Sequence, residues 1–439
     1  MKSKKKNLTL ESWTKLFEKY KITQEVNENN YFVISTEAIK EYREPRLMTK
    51  FDTSHLRPTI FKKNKLGILP IERTKYIISD FKLYEELPDI IEKNNFDIIK
   101  VNTEILESFE TIDKENINSE ANAINILSIL KILPDFLETE SNIYSTFNGR
   151  MTSPKFKFKI DKYKGDSLDI NVNKVQIEID AGFESLDSVI IVEAKRILSK
   201  DFIIRQLYYP FRHWQEKVRK PIRLIFMVYT NGLYRLFEYE FTDIFNYSSI
   251  KLLHYKIYSI EDTNITQDDI YDAYINTKEE FTDSIDIENK IPFIQADSME
   301  RIISIMEYIY DNKKTNENEI SEIMSFTPRQ ANYYFNAGRY LELFKKKNNK
   351  NKMEIYLTPL ARQIYKMKYK DKQLAIISQI FKHKIFRICY EKILENGRMI
   401  SKYEIAKLLT KNNIVEKSSV RRAQTVVAWF KWIFKLTEI

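Results

Sequence analysis

The stretch VQIEIDAGFESLDSVIIVEAKRI (residues 175–197) places acidic and basic side chains at the ends of two apolar segments. Residues i and i+2 of a β-strand point to one face, so Glu178 lies beside Asp180, and Glu193 lies beside Lys195. An antiparallel hairpin would bring Asp180 and Glu193 within reach of one ion. Neighbouring carboxylates repel unless a cation compensates, and hard oxygen ligands favour Mg²⁺. The spacing predicts a metal site in which Lys195 binds a phosphate or the attacking water.

A simpler interpretation is a surface hairpin whose ends are charged for solubility, with Glu193 and Lys195 forming a weak pair. An acid-x-Lys tripeptide on its own favours that interpretation. The four consecutive apolar residues VIIV (189–192) argue against it, because they predict a strand buried on both faces. A buried strand that ends abruptly in Glu-Ala-Lys is typical of a site at the end of a sheet.

The elements around this stretch are predicted to follow the order α-β-β-β-α-β-β between residues 120 and 245. SEANAINILSILKILPDFLE has helical apolar spacing, whereas KFKFKI and VQIEID alternate with a period of two. An amphipathic segment follows at 200–219. The strand IRLIFMVYT, a turn at Asn231-Gly232 and the strand LYRLFEYEF complete the unit.

An acid that ends one strand, twelve intervening residues, and then Glu193-Ala194-Lys195 resemble the PD-(D/E)xK nuclease superfamily. Ile179 stands where the family name has proline. Together with GRMTSPKFKFKI, IEIDAGFE, VEAKR and IRQLYYPFRHW, the chain looks like a group of type II restriction endonucleases. The resemblance implies that Asp180 and Glu193 are Mg²⁺ ligands and that Lys195 is catalytic. It also implies an α/β (α+β) restriction-endonuclease-like core with a mixed central sheet.

Three further residues are candidates for supporting roles in that site. Glu178 and Glu184 could each supply an auxiliary carboxylate, although a structural or solvated role is the simpler interpretation for both. Gln206 resembles the helix glutamine of some superfamily members, which contacts the active site. Tyr209 follows it after three residues rather than four, so a helix-surface role is equally open.

Positive charge is concentrated in the C-terminal third of the chain. The whole sequence has 71 Lys and Arg against 62 Asp and Glu, a net charge of +9. Residues 298–439 hold 28 basic and 14 acidic residues, net +14, which leaves 43 against 48, net −5, for residues 1–297. A polyanion is the natural partner of such a surface.

Residues 298–370 are predicted to form three helices and a β-hairpin, a winged helix-turn-helix, and residues 371–439 a second helix-turn-helix-like unit. Thr327 as N-cap and Pro328 at the first position predict the start of the third helix. Winged helices also bind proteins, and that alternative stays open. The residues predicted to contact double-stranded DNA, by base-reading or phosphate-binding chemistry, are Arg329, Gln330, Asn332, Asn336, Lys345, Lys346, Arg421, Arg422 and Gln424.

Four regions are therefore expected: an N-terminal α+β region of unassigned role (1–119), the nuclease core (120–290), and two mainly α winged-helix domains (298–370 and 371–439). Cys389 is the single cysteine, which excludes an intramolecular disulfide and indicates a reducing compartment. The sequence has no signal-type apolar region and no stretch long enough to span a membrane. We expect a cytoplasmic protein without membrane contact.

These features predict a type II restriction endonuclease that cleaves double-stranded DNA at a specific sequence with Mg²⁺, beside a DNA methyltransferase that protects the same site. One active site per chain predicts a homodimer, at least transiently, or sequential nicking by a monomer. Two other functions stay open: a DNA-binding regulator with an inactive nuclease fold, and a structure-selective repair or transposition nuclease. The intact acid and Glu-x-Lys set argues against the regulator.

Overall fold

The computed structural model describes residues 8–88, 98–113, 117–281, 291–324, 326–349, 352–415 and 419–437. The protein is mixed α/β with a multi-strand mixed sheet at its centre, as the sequence predicted at this level. Within these ranges no helix has the length and apolar character needed to cross a bilayer. The predicted end of the second region, residue 290, lies outside the described residues.

The N-terminal part is a small α/β unit that ends well before residue 119. Its elements are α1 (Leu8–Lys19), α2 (Ile22–Asn29), β1 (Phe32–Ser35), α3 (Thr36–Lys40), α4 (Pro45–Thr49), α5 (Thr59–Lys63), β2 (Gly67–Glu72) and β3 (Lys75–Ser79). The strands form an antiparallel sheet in the order β1-β3-β2. Trp13, Leu16 and Phe61 are fully buried in an apolar core of this unit, whereas Leu69 and Ile77 of its sheet pack in the central core.

The central part contains the longest strands of the chain. Its elements are β4 (Tyr84–Glu86), β5 (Ile98–Lys100), α6 (Glu120–Ile129), α7 (Ile132–Phe136), β6 (Tyr144–Thr152), β7 (Phe156–Ile160), β8 (Leu168–Val172), β9 (Gln176–Glu184), β10 (Val189–Lys195), β11 (Asp201–Ile203), α8 (Arg205–Gln215), β12 (Ile222–Thr230), β13 (Leu233–Phe241), β14 (Ile250–Ser259) and α9 (Gln267–Asn276). Seven strands form one sheet in the order β5-β14-β13-β12-β10-β9-β6. The pairs β10–β12 and β14–β5 are parallel and the others antiparallel.

Strand β10 lies inside this sheet, between antiparallel β9 and parallel β12. Val189, Ile190, Ile191 and Val192 are each at most 1% exposed, so the prediction of a strand buried on both faces is confirmed. Helices α6 and α7 cover one face, and α8 covers the other. The α8 crossover from β10 to β12 positions a helix directly beside the Glu-Ala-Lys end of the strand.

The predicted element order is wrong in one respect, because six strands, β6 to β11, lie between α7 and α8 where three were expected. KFKFKI forms a strand as predicted, β7, which pairs with β8 in a separate two-stranded sheet and has an isolated bridge from Lys159 to Asn246. On the side away from β10, β9 pairs with β6, the edge strand of the sheet. Most side chains of β6 are exposed, so its sequence lacks the alternation of apolar residues from which a strand is predicted. The predicted turn at Asn231-Gly232 is confirmed, with positive φ at both residues.

The C-terminal part is mainly helical. Its elements are α10 (Met299–Asn312), α11 (Glu317–Ile323), α12 (Pro328–Tyr340), β15 (Phe344–Asn349), β16 (Lys352–Leu357), α13 (Pro359–Tyr365), α14 (Tyr369–Phe381), α15 (Lys384–Asn396), α16 (Lys402–Lys411) and α17 (Ser419–Lys435). Three helices and an antiparallel hairpin thus occur in the predicted order. Thr327 caps α12 in a capping box, which confirms the predicted helix start.

Candidate active site

The two central carboxylates lie side by side on neighbouring strands. The hairpin pairs Val192 with Ala181, so Asp180 and Glu193 follow one step further along the same register. Asp180 Oδ2 accepts a hydrogen bond from the backbone N–H of Ala194 at 2.9 Å. One oxygen of Asp180 is therefore fixed against β10, and its partly exposed carboxylate stays at the end of the sheet beside Glu193.

Lys195 joins these carboxylates. Its Nζ donates to Glu193 Oε1 and, at 3.1 Å, to the carbonyl oxygen of Ala194. The side chain of Glu193 is 7% exposed and that of Lys195 26% exposed, so the ammonium faces the opening while the carboxylate lies beneath it. The predicted constellation of Asp180, Glu193 and Lys195 is thus brought together by the fold.

Gln206, on the first turn of α8, is also part of this cluster. Its Nε2 donates to the same Glu193 Oε1 that accepts from Lys195. Its own carbonyl oxygen, Oε1, is buried without a hydrogen-bond partner among the described residues. A buried amide oxygen that lacks a partner is costly, so this atom has the capacity to accept from a bound water or ligand.

The charges of the cluster shift each other's protonation. Burial raises the pKa of Glu193 to about 8, and the nearby Asp180 carboxylate adds to this, although Lys195 works against it. Burial opposes the charged form of Lys195, but the carboxylates of Glu193 and Asp180 outweigh it and raise the pKa of the ammonium above its usual value. The acidic side chains therefore lie close enough to influence one another, and Lys195 is the cation in direct contact with them.

Glu120 is a third acidic residue of the site, and it was not singled out from the sequence. It lies in the first turn of α6, after the N-cap Ser119, and is partly buried. Burial raises its pKa, Lys195 lowers it and Asp180 raises it again, which places its charge within range of both residues. A capping serine followed by Glu at the start of an apolar helix was the available signal, but its proximity to the sheet end depends on how α6 packs.

The N-terminal unit also contributes charge to this region. The Asp52 carboxylate acts to raise the pKa of Glu193, and the exposed Lys50 acts to lower that of Glu120. Backbone hydrogen bonds attach this segment to the core, since Asp52 O accepts from Ile203 N–H at 2.8 Å. The segment around residues 50–54 therefore forms one wall beside the cluster.

Glu178 and Glu184 are not brought into the cluster. Glu178 is exposed and pairs at 3.4 Å with Arg150 on the edge strand β6. Glu184 lies at the far end of β9, opposite Val189, where it pairs with Lys220. The structural or solvated interpretation applies to both glutamates.

The residues predicted to contact DNA on the first C-terminal unit are mostly at the surface. Arg329, Gln330, Asn332, Lys345 and Lys346 are exposed and Asn336 is half-buried. The Gln330 side chain accepts a hydrogen bond from the Thr327 backbone N–H at 3.0 Å and so contributes to the N-terminal cap of α12. Asn336 donates to Asn332 at 2.6 Å, and Lys346 pairs with Glu317 at 2.8 Å.

On the second C-terminal unit, Arg421 and Gln424 are exposed on the first turns of α17. Arg422 is half-buried, and its Nη1 donates to the carbonyl oxygen of Phe293 at 2.7 Å. Burial also lowers the pKa of this guanidinium. The hydrogen bond to Phe293 attaches the segment before α10 to α17, and the contact of Arg422 with DNA stays a prediction.

Comparison with known families finds three consecutive matches. Residues 10–78, 79–259 and 301–438 match families described as Domain of unknown function, DUF6996, DUF6997 and DUF7226 respectively. No curated protein and no solved structure matches the chain. Asp180, Glu193 and Lys195 all fall within the second match, and the first ends where the N-terminal sheet ends.

Proposed function

We propose that this protein is a Mg²⁺-dependent endodeoxyribonuclease of the type II restriction kind, which hydrolyses double-stranded DNA at a specific sequence. The observation that carries the proposal is the convergence of Asp180, Glu193, Lys195 and Gln206 at one end of a buried strand. A carboxylate held at low exposure beside another carboxylate costs stability, and a structural role gives no reason to retain it.

The topology around the cluster supports the same proposal. An antiparallel hairpin, β9–β10, is followed by a crossover helix and a parallel strand, β12, with a further helix on the opposite face. This part of the chain path is similar to the order expected of a PD-(D/E)xK core and supports the proposal. The resemblance of the motif and the order of the elements are two separate supports, because one concerns residue types and the other chain path.

Mg²⁺ suits the oxygen donors that converge here. Among the described residues, no group of three or more His, Cys, Asp and Glu side chains is arranged to hold a metal ion. Mg²⁺ is commonly held by one or two carboxylates, with water and substrate phosphate completing its coordination. Asp180 and Glu193 would hold the ion, and the partnerless Oε1 of Gln206 is a further oxygen at the same place. When bound, Mg²⁺ would offset the negative charge on the phosphate undergoing hydrolysis.

The chain's own residues then have distinct tasks. Lys195 presents a charged ammonium at the opening, where it would contact a phosphate oxygen and stabilise the charge that develops as water attacks and the 3′ oxygen leaves. Gln206 and Lys195 both donate to Glu193 Oε1, which fixes the rotamer of that carboxylate. Asp180 is oriented by the Ala194 N–H.

The C-terminal part is proposed to bind the DNA. Its three helices and hairpin have the order of a winged helix, and its net charge of +14 over residues 298–439 favours a polyanion. Arg329 and Asn332 at the exposed start of α12, and Lys345 and Lys346 on the hairpin, are the proposed contacts. A methyltransferase that protects the same sequence and a dimer during double-strand cleavage complete the proposal.

Cleavage of a long unmethylated phage DNA with Mg²⁺ or with EDTA tests this function. The wild-type chain is expected to give discrete fragments with Mg²⁺ alone. Asp180→Asn is expected to lower the rate by at least about a hundredfold, because it removes a charged ligand. Its amide oxygen can still accept from Ala194 N–H, so the melting temperature should change little.

The pattern of products separates the alternatives. A smear, or cutting confined to branched DNA, would indicate a structure-selective nuclease. DNA binding without cleavage of any unmethylated substrate, in a folded wild-type protein, would favour a regulator and remove the enzymatic proposal.

Glu120→Gln tests whether the additional acid contributes to metal binding. Because the charge of Glu120 adds to that of Asp180 at the site, its loss is expected to raise the Mg²⁺ concentration for half-maximal cleavage about tenfold. Glu104→Gln, at an exposed position, is the matched control. If the Mg²⁺ dependence of Glu120→Gln equals that of the wild type, Glu120 does not contribute to metal binding.

A further inference from the structure

The residue directly after the Glu-Ala-Lys motif, Arg196, connects three parts of the molecule. Its Nη1 donates to the carbonyl oxygen of Asn118 at 2.6 Å and to Asp311 Oδ2. The Arg196 side chain is 18% exposed and that of Asp311 21% exposed, so the ion pair is largely shielded from water. A shielded pair is screened less by salt than an exposed one and holds its geometry more firmly.

One of these contacts leads to the start of α6. Asn118 precedes Ser119, whose side chain accepts from Asn122 N–H at 3.1 Å and caps the helix. Glu120 occupies the first turn of the same helix, next to the catalytic cluster. The guanidinium therefore holds the end of β10, which carries Lys195, against the helix start that carries Glu120.

The other contact leads to the C-terminal part. Asp311 lies in the last turn of α10, the helix that packs against α12, α13 and the hairpin strand β16. The preceding residue, Tyr310, stacks on Tyr365 of α13 at a centroid distance of 3.7 Å. A change in the position of α10, α12 and α13 relative to the central sheet would therefore displace Asp311.

One nitrogen of Arg196, Nη1, donates both to Asn118 and to Asp311. Arg196 Nε is buried and has no hydrogen-bond acceptor among the described residues, so no hydrogen bond at Nε holds the guanidinium in place. Nη1 has two N–H groups, one for each acceptor, so a displacement of Asp311 that Nη1 follows also alters the hydrogen bond to Asn118. The two contacts share this atom.

We propose that Arg196 is a positioning residue, and that its ion pair with Asp311 transmits the docking of the C-terminal helical domain to the active site. This inference rests on the proposed nuclease function. DNA held by α12 and the hairpin would bias the position of α10, and Arg196 would align Lys195 and Glu120 accordingly. Binding at the wrong sequence would leave this alignment incomplete and slow cleavage without releasing the DNA.

Asp311→Ala tests the coupling, with Asp311→Glu as the conservative variant. Three quantities are measured: the single-turnover cleavage rate at saturating protein, the dissociation constant for DNA in EDTA, and the dissociation constant for Mg²⁺ from melting temperatures without DNA. Asp311→Ala is expected to lower both the rate and the Mg²⁺ affinity about tenfold, as for other outer residues that orient a metal site. DNA affinity should stay within about twofold, and Asp311→Glu should restore most of the rate.

Lys314→Gln is the matched control, because it breaks another ion pair just beyond α10, with Glu354 at 2.8 Å, that does not reach the cluster. If Asp311→Ala is unstable, the same cleavage rate and Mg²⁺ affinity are measured in Arg196→Lys. Lysine keeps the positive charge but cannot reproduce the geometry of the guanidinium group. Equal rates and equal Mg²⁺ affinities in Asp311→Ala and the wild type would overturn the coupling while leaving the nuclease proposal intact. A wild type that neither binds Mg²⁺ nor cleaves DNA would overturn both.

Discussion

Lys195→Met is expected to lower the Mg²⁺-dependent cleavage rate by about 10²–10³-fold, the loss typical of removing one charge-stabilising donor from an active site. Methionine keeps an unbranched apolar stem as far as Cε, so the packing beside Ala194 is retained. Two effects contribute. The phosphate loses its ammonium partner, and Glu193, whose pKa burial already raises to about 8, loses the cation that opposes that rise.

A titration with Mg²⁺ separates these effects. If the ammonium acts only on the phosphate, the rate at saturating Mg²⁺ falls while the half-saturating concentration is unchanged. If it also keeps Glu193 ionised, more Mg²⁺ is needed, and raising the pH from 7 to 9 recovers part of the metal affinity because a carboxyl must lose its proton to bind the ion.

Lys220→Met is the control for this variant. Lys220 pairs with Glu184 close to the turn end of the same hairpin, with side-chain exposures of 36% and 41%. Its loss should leave the cleavage rate within about twofold, as expected for a pair screened by solvent. A Lys195→Met protein that is folded and cleaves at the wild-type rate would contradict the assignment of Lys195 as catalytic.

The central hairpin could be predicted because its sequence signals are local. VIIV requires burial on both faces, and the acids at positions i and i+2 point to a strand end. The distance between Asp180 and Glu193 along the chain is short, which favours an antiparallel hairpin, and the observed register brings the two residues to neighbouring positions. The turn at Asn231-Gly232 is similarly local, because both residues tolerate positive φ.

The residues that sequence reasoning missed depend on packing between distant segments. Glu120 reaches the cluster because α6 crosses the face of the sheet near the end of β10, and nothing in the local pattern of α6 specifies that approach. Strand β6 is exposed along most of its length and lacks an apolar alternation. Asp52 and Lys50 come from a separate unit with its own core, so their approach to the site is set by docking rather than by spacing.

Gln330 and Arg422, two residues of the predicted DNA surface, form hydrogen bonds with backbone groups, a role that their residue types also favour. Gln330 was predicted from its base-reading chemistry, but the third position of a helix that starts with Thr-Pro also favours Gln in a capping box. Arg422 was predicted from its charge, and its Nη1 donates a hydrogen bond to the carbonyl oxygen of Phe293, more than a hundred positions earlier in the chain. In each case a backbone group competes for the side chain.

Arg235→Met is expected to lower the free energy of unfolding by about 3–5 kcal/mol, the cost of leaving a buried charge without its partner. Arg235 on β13 and Glu300 on α10 are 4% and 6% exposed, and Arg235 Nη2 donates to Glu300 Oε2 at 3.1 Å. The pair spans the contact between the central sheet and the C-terminal helices. Asn231 and Trp432 also donate to Glu300, each at 3.4 Å, but neither carries a charge.

Urea unfolding followed by tryptophan fluorescence measures this cost, and two comparisons identify its source. Lys251→Met removes an exposed partner of Glu240 on the same sheet, 3.8 Å away, and should cost less than about 1 kcal/mol. Arg235→Met combined with Glu300→Gln should recover much of the loss, because the uncompensated carboxylate is then gone. If the double variant is as unstable as Arg235→Met alone, the loss comes from packing of the arginine stem rather than from charge, and the ion pair is not what holds the C-terminal helices on the sheet.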